Sequence, residues 1–89
     1  MTTIVMFLHV ESVEHIEGYV LRVGFSDGVA KDVDLSEELI GEVFEPLRTP
    51  DAFRRVAVNP ETCTIEWPNG ADFAPEFLYE IGDTVERVS

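Results

Sequence analysis

The stretch "YVLRVGFSDGVAKDVDL", residues 19–35, constrains the fold more than any other part of this 89-residue chain. Tyr19, Leu21, Val23 and Phe25 alternate with Val20, Arg22 and Gly24, the period-two pattern of a strand buried on one face. Asp27 and Gly28 supply turn chemistry between two strands, because an Asp side chain bonds nearby backbone and Gly accepts positive φ. The return strand places Val29, Lys31, Val33 and Leu35 on one face and Ala30, Asp32 and Asp34 on the other. One face of the hairpin is therefore apolar and the other is wet. An isolated hairpin of this kind is marginal in water, so the rest of the chain must cover it.

Phe7 to Ile16 reads as a preceding strand, with Val10, Val13 and Ile16 breaking strict alternation as a bulge would. After the hairpin, Ser36 stands as an N-cap with Glu37 and Glu38 in the first helical turn, and Leu35 and Ile40 at staple positions. Gly41 and Pro46 keep that helix short or broken. "TPDAF" at 49–53 predicts a second helical turn, capped by Thr49 with Pro50 at its first position. "RRVAVN" and "CTIEW" around the turn signal "NPET" predict a second hairpin, with Cys63, Ile65 and Trp67 in phase on one face. From Gly82 onward the chain either frays or adds an edge strand.

The run "WPNGADFAPEFLYE", residues 67–80, reads as a hard corner of the fold. Trp67 ends a strand on its core face, and Asn69-Gly70 reverses the chain. Asp72 lies where a carboxylate caps or electrostatically favours a helix start. Pro75 opens a helix carrying Phe77, Leu78 and Ile81, and Phe73 and Leu78 occupy staple positions. With no repeat or linker, residues 1–89 are expected to form one α+β domain. Its architecture is two-layer: an antiparallel sheet of about five strands, three and then two, with short helices on one face.

Composition narrows the function. The 18 acidic and 6 basic residues leave a net charge of -12, which repels phosphate backbones and anionic membranes. No direct nucleic-acid binding and no membrane association are expected. A single cysteine, Cys63, forms no internal disulfide, and "MTTIVMFLHV" lacks the flanks of a secretion signal, so the expected location is the cytoplasm. Folding hides only about 60 to 65% of the surface of so short a chain, which leaves its stability modest.

Catalytic constellations are sparse. His9, His15 and Cys63 are the whole inventory of soft or imidazole ligands, too few for a zinc centre, and no metal or other cofactor is expected. Asp27, Asp32 and Asp34 lack calcium-loop spacing, and the scattered glycines lack phosphate-loop spacing. Arg48, Arg54 and Arg55 fall within eight residues, where pairing with nearby glutamates competes with binding an external carboxylate or phosphate.

"FSDG" followed by "DVDL", then a Phe before a Val-rich strand, and finally "WPNGADFAPEFLY" resemble the bacterial family known as domain of unknown function 2442. The likeness covers nearly the whole chain. It implies a small two-layer α+β domain, found alone or as the N-terminal part of longer proteins with a helix-turn-helix domain. With the chain ending at Ser89, direct DNA reading is not carried over. The family's association with genes for other small proteins implies an antitoxin-like role, and the family brings no catalytic residues.

The expected function is thus a non-enzymatic protein-interaction module whose partner is a protein, basic and encoded by a neighbouring gene in the antitoxin-like form. Trp67, Asn69, Gly70, Asp72, Pro75 and Tyr79 are the motif residues and candidate surface, and Asp27, Gly28 and Ser36 the turn and cap residues. A small-ligand regulatory domain, with the corner and Arg54 or Arg55 as pocket walls, is the alternative reading, and a small enzyme the third. Exposed strand edges also leave a homodimer open.

Overall fold

The computed structural model describes residues 8–85. The first part of the chain builds strands β1 (Val10–Glu17), β2 (Val20–Phe25) and β3 (Ala30–Asp34), paired antiparallel in that order. Register shifts at Val10/Ser12 and His15/Glu17 make β1 the irregular strand its interrupted alternation predicts. Phe7, the expected start of that strand, lies outside the described residues. Leu21, Val23, Phe25 and Val33 are buried on the inner face, while Arg22 and Asp32 pair across the outer one at 2.8 Å.

The helical expectation at Ser36 is not met. Residues 36–38 form a turn, closed by the Glu38 N–H on the Leu35 carbonyl at 2.9 Å. The Ser36 N–H donates to Asp34 Oδ1, so Asp34 rather than Ser36 organises the local backbone. Gly41, with φ +101, ends any helical path within a few residues, too few to nucleate a helix. Leu35 and Leu39 are the buried pair here, and Ile40 points out with 71% exposure, so the predicted Leu35–Ile40 staple is replaced.

A single 3₁₀ turn, Glu45–Arg48, leads into helix α1 (Pro50–Phe53), entered from an extended Thr49 with Pro50 at its first position as the sequence indicates, but the Thr49 hydroxyl donates to the Pro46 carbonyl and does not cap the helix. The second hairpin follows as β4 (Ala57–Asn59) and β5 (Thr64–Glu66), which form their own two-stranded sheet. The Val10 N–H donates to the Cys63 carbonyl, joining that hairpin to the start of β1. Cys63 does not continue the buried face of β5: it sits in the left-handed region at φ +62, half-buried, and its Sγ faces the Pro60 carbonyl. The turn needs a left-handed residue, and that requirement overrides strand periodicity.

Helix α2 (Pro75–Ile81) and the short edge strand β6 (Asp83–Thr84) complete the fold, β6 pairing with β3. Leu47, Phe53, Ile65, Trp67, Ala71 and Leu78 close the core over the sheet. Phe53 collects three rings edge-on or tilted, with centroids 5.9 Å to His15, 5.2 Å to Tyr19 and 5.7 Å to Trp67. No helix among the described residues is long and apolar enough to cross a membrane.

Trp67→Phe keeps an aromatic ring but removes the indole N–H that satisfies the buried Phe53 carbonyl at 2.8 Å. Chemical denaturation should show a loss of about 2–3 kcal/mol, from the orphaned acceptor and the void together. At Gly82 a Cβ would stand 2.9 Å from both Lys31 Cβ and Val33 Cγ2. Gly82→Ala should therefore lift β6 from β3, and hydrogen exchange should report lost protection of the Val85 amide, which bonds the Ala30 carbonyl.

Candidate functional site

The dense run at 67–80 divides into an inward and an outward part. Trp67 is 1% exposed and is spent on the core. Pro68, Asn69 and Gly70 form the loop of a tight reversal: the Trp67 N–H donates to the Ala71 carbonyl at 2.9 Å and the Gly70 N–H to the Trp67 carbonyl at 2.8 Å. Gly70 takes φ +90, which an L side chain adopts only with strain. Beyond the loop, Asp72 bridges to Glu66 through the backbone and its side chain is exposed. No side chain caps α2, so the capping role expected of Asp72 is absent. The bridge fixes Asp72 on the strand path, and Pro75 at the first helical position has no N–H to cap.

Phe73 packs against the core that contains Leu78, and its ring contacts anchor the helix entry. It stacks on Phe77 at 5.6 Å and on Phe44 at 4.8 Å, and meets Trp67 edge-on at 5.9 Å. Phe44 belongs to the loop that precedes the 3₁₀ turn, so this stack clamps that loop to the corner.

Asn69 completes the clamp. Its Oδ1 accepts the Ala71 N–H at 3.1 Å, and its Nδ2 donates to the Val43 carbonyl at 2.8 Å. Arg48 Nη1 donates to the Leu39 carbonyl at 3.2 Å, and the Phe44 and Glu45 N–H groups both close on the Gly41 carbonyl. Leu39 and Leu47 are buried at either end. The loop 39–47 is thus tied down at Leu39, Val43, Phe44 and Leu47, while Ile40 and Val43 present their side chains outward with exposures of 71% and 49%. Glu37, Glu42 and Glu45 are exposed around them. Sequence periodicity assigned Ile40 to a staple and passed over Val43; the only signal was apolar residues at a glycine within the acidic run "EELIGEVFE".

A second cluster gathers the remaining candidates. Tyr79 OH donates to Asp27 Oδ2 at 2.7 Å, and the Val29 N–H donates to Asp27 Oδ1 at 3.0 Å. Gly28 holds φ +87 in the same turn. Lys31 Nζ lies 3.9 Å from the Tyr79 ring centroid and donates to the Tyr79 carbonyl at 2.6 Å. The Tyr79–Asp27 pairing joins residues 52 apart, and no spacing in the sequence reveals it.

The hydrogen bond from Tyr79 and that from the Val29 backbone hold the Asp27 carboxyl below the usual carboxylate range. The same bond to Asp27 holds the Tyr79 hydroxyl above the usual phenol range. Both groups are thereby moved away from neutrality, the reverse of what general acid–base chemistry at pH 7 needs. Arg22 likewise keeps Asp32 ionised. Among the described residues, no group of three His, Cys, Asp or Glu side chains is placed to hold a metal ion. His15 Nε2 is engaged with the Gly18 carbonyl at 2.9 Å.

These directions set a pH dependence. A carboxyl depressed in the fold stabilises it above its unfolded value of about 3.9, and that contribution is lost as pH falls through the lower folded value. A phenol raised in the fold stabilises it below about 10, and that contribution is lost as pH rises through the higher folded value. Stability should decline below about pH 4 and above about pH 10. Tyr79→Phe should flatten the alkaline decline and weaken the acid one, leaving Val29 as the remaining donor to Asp27; thermal midpoints of both proteins across that range test it.

Comparison with known proteins gives the family. The family described as "Protein of unknown function (DUF2442)" matches residues 10–83. Among solved structures, the crystal structure of "Putative DNA Binding Protein NE0471" from Nitrosomonas europaea ATCC 19718 is similar at 27% identity and a TM-score of 0.75, over 90% of this chain and 52% of that one. The chain spans about half the length of that protein. No curated protein matches. With the match running from the first residue of β1 to the first residue of β6, the chain belongs to the DUF2442 family.

Proposed function

We propose that this chain is a non-enzymatic protein-interaction module that docks a basic protein on the loop carrying Ile40 and Val43. The supporting observation is that two branched apolar side chains stand in solvent on a loop whose backbone is clamped from both sides. Exposed apolar side chains on a floppy loop would need no explanation. Here the ordering entropy has been met in advance, which favours binding.

Charge selects the partner. Glu37, Glu42 and Glu45 flank the apolar pair in a chain of net charge -12, so a partner with an apolar pocket rimmed by Lys or Arg is complementary. A homodimer through this face would set the same glutamates against one another. The antitoxin-like half of a two-gene pair is the biological form that fits an acidic module of this size. The DNA-binding description of the Nitrosomonas protein belongs to a longer chain, of which the match covers 52%, and phosphate contact is disfavoured by the charge here.

The test is affinity measurement with the basic protein that co-purifies from the native host. Ile40→Ser with Val43→Ser should weaken binding at least about tenfold, as loss of central apolar anchors does. Unfolding stability should stay within about 0.5 kcal/mol, since both side chains are exposed. Asn69→Ala should weaken binding less, by releasing the loop. Undiminished binding by the double variant would remove this face from consideration, and normal growth of cells expressing the partner alone would remove the antitoxin form.

A further inference from the structure

Elsewhere on the surface, two open grooves of about 400 and 310 Å³ meet at Arg55 and Pro68, which line both. One lies over the second hairpin beside Ala57, Val58 and Pro60; the other lies against Pro46, Leu47 and Ala52. The walls are mainly apolar, and a cation stands where they join.

Arg55 differs from the other described cations. Arg22 is paired with Asp32 and Arg54 with Asp51, while Lys31 donates to the Tyr79 carbonyl and Arg48 to the Leu39 carbonyl. The Arg55 guanidinium has no such partner, in a chain with 18 acidic and 6 basic residues. Two carboxylates line the grooves, yet both are held by other side chains: Asp51 by Arg54 at 2.6 Å, and Glu66 by Asn59 Nδ2. Neither neutralises Arg55.

We propose that the groove junction binds a small apolar monocarboxylate, its carboxylate on the Arg55 guanidinium and its hydrocarbon part along Pro68 and one groove wall. The guanidinium fork matches a carboxylate's two oxygens. Among the described residues a single free cation stands at the junction, which suits one negative charge and gives a dianionic phosphate no second contact. The net charge of the chain does not forbid this, because fields are screened over about 8 Å at 0.15 M salt whereas the ion pair is in direct contact. Each groove lies at the lower end of the size range of small-molecule sites, which limits the ligand to about one ring or a short branched chain.

The probe is 3-phenylpropionate, with its uncharged amide as control, titrated into the full chain at about 0.15 M salt and followed by backbone amide NMR shifts. Saturable shifts at Arg55, Ala57, Val58 and Asn69 with a low-millimolar dissociation constant are expected. The amide should bind at least about tenfold more weakly, the usual loss for a charge-assisted contact. Arg55→Gln should bring the acid down to the level of the amide, and Arg55→Lys should retain part of the difference. Equal shifts from acid and amide, an unaffected Arg55→Gln variant, shifts centred on Arg22 or Arg54, or no saturable shift at about 20 mM would each overturn the proposal.

Discussion

The indole N–H of Trp67 on the Phe53 carbonyl is the contact on which the two halves of this fold depend. Phe53 ends the short helix α1, Trp67 follows β5, and the Phe53 ring also receives His15 from β1 and Tyr19 from the β1–β2 turn. A helix of four residues and a hairpin of two three-residue strands have little stability of their own. They hold their shapes because one buried aromatic pair joins them, with its polar atoms satisfied. Tyr19 adds a second tie by donating its hydroxyl to the Arg48 carbonyl, just ahead of α1.

What the sequence made legible follows from where local rules and tertiary packing agree. The β2–β3 hairpin, the Thr49-Pro50 helix start, the Asn69-Gly70 reversal and the Pro75 helix could each be read because a steric rule admits few residues there: alternation, a fixed proline φ, or a left-handed glycine. Ser36 misled because a cap signal says only that a helix can start. Four residues before a left-handed glycine give such a helix nowhere to go. Cys63 misled for a related reason, since its phase with Ile65 and Trp67 is a strand argument applied to a residue that the turn had already claimed.

The candidate surfaces were less legible than the fold, and the reason is physical. Exposure of Ile40 and Val43 is decided by Asn69 and Phe73, about thirty residues away, acting on the loop's backbone and on Phe44. Arg55 is distinguished from Arg54 by Asp51, which reaches the Arg54 guanidinium. Composition announced that partners would have to tolerate negative charge, but it could not say where apolar side chains break the acidic surface.

The conspicuous corner therefore works at one remove. Its Trp is buried, its Gly supplies a dihedral angle, and its Pro residues shape a turn and start a helix. Asn69 is different: with one side chain it closes the corner on the Ala71 N–H and reaches across to the Val43 carbonyl. A turn requirement and a surface requirement thus fall on the same residue. Aspartate could accept the first hydrogen bond but could not donate the second, and glycine could make the turn but neither bond. Asparagine at position 69 is fixed by the combination, which links the local chemistry of the Trp-Pro-Asn-Gly run to the presentation of the apolar pair on the loop that it holds.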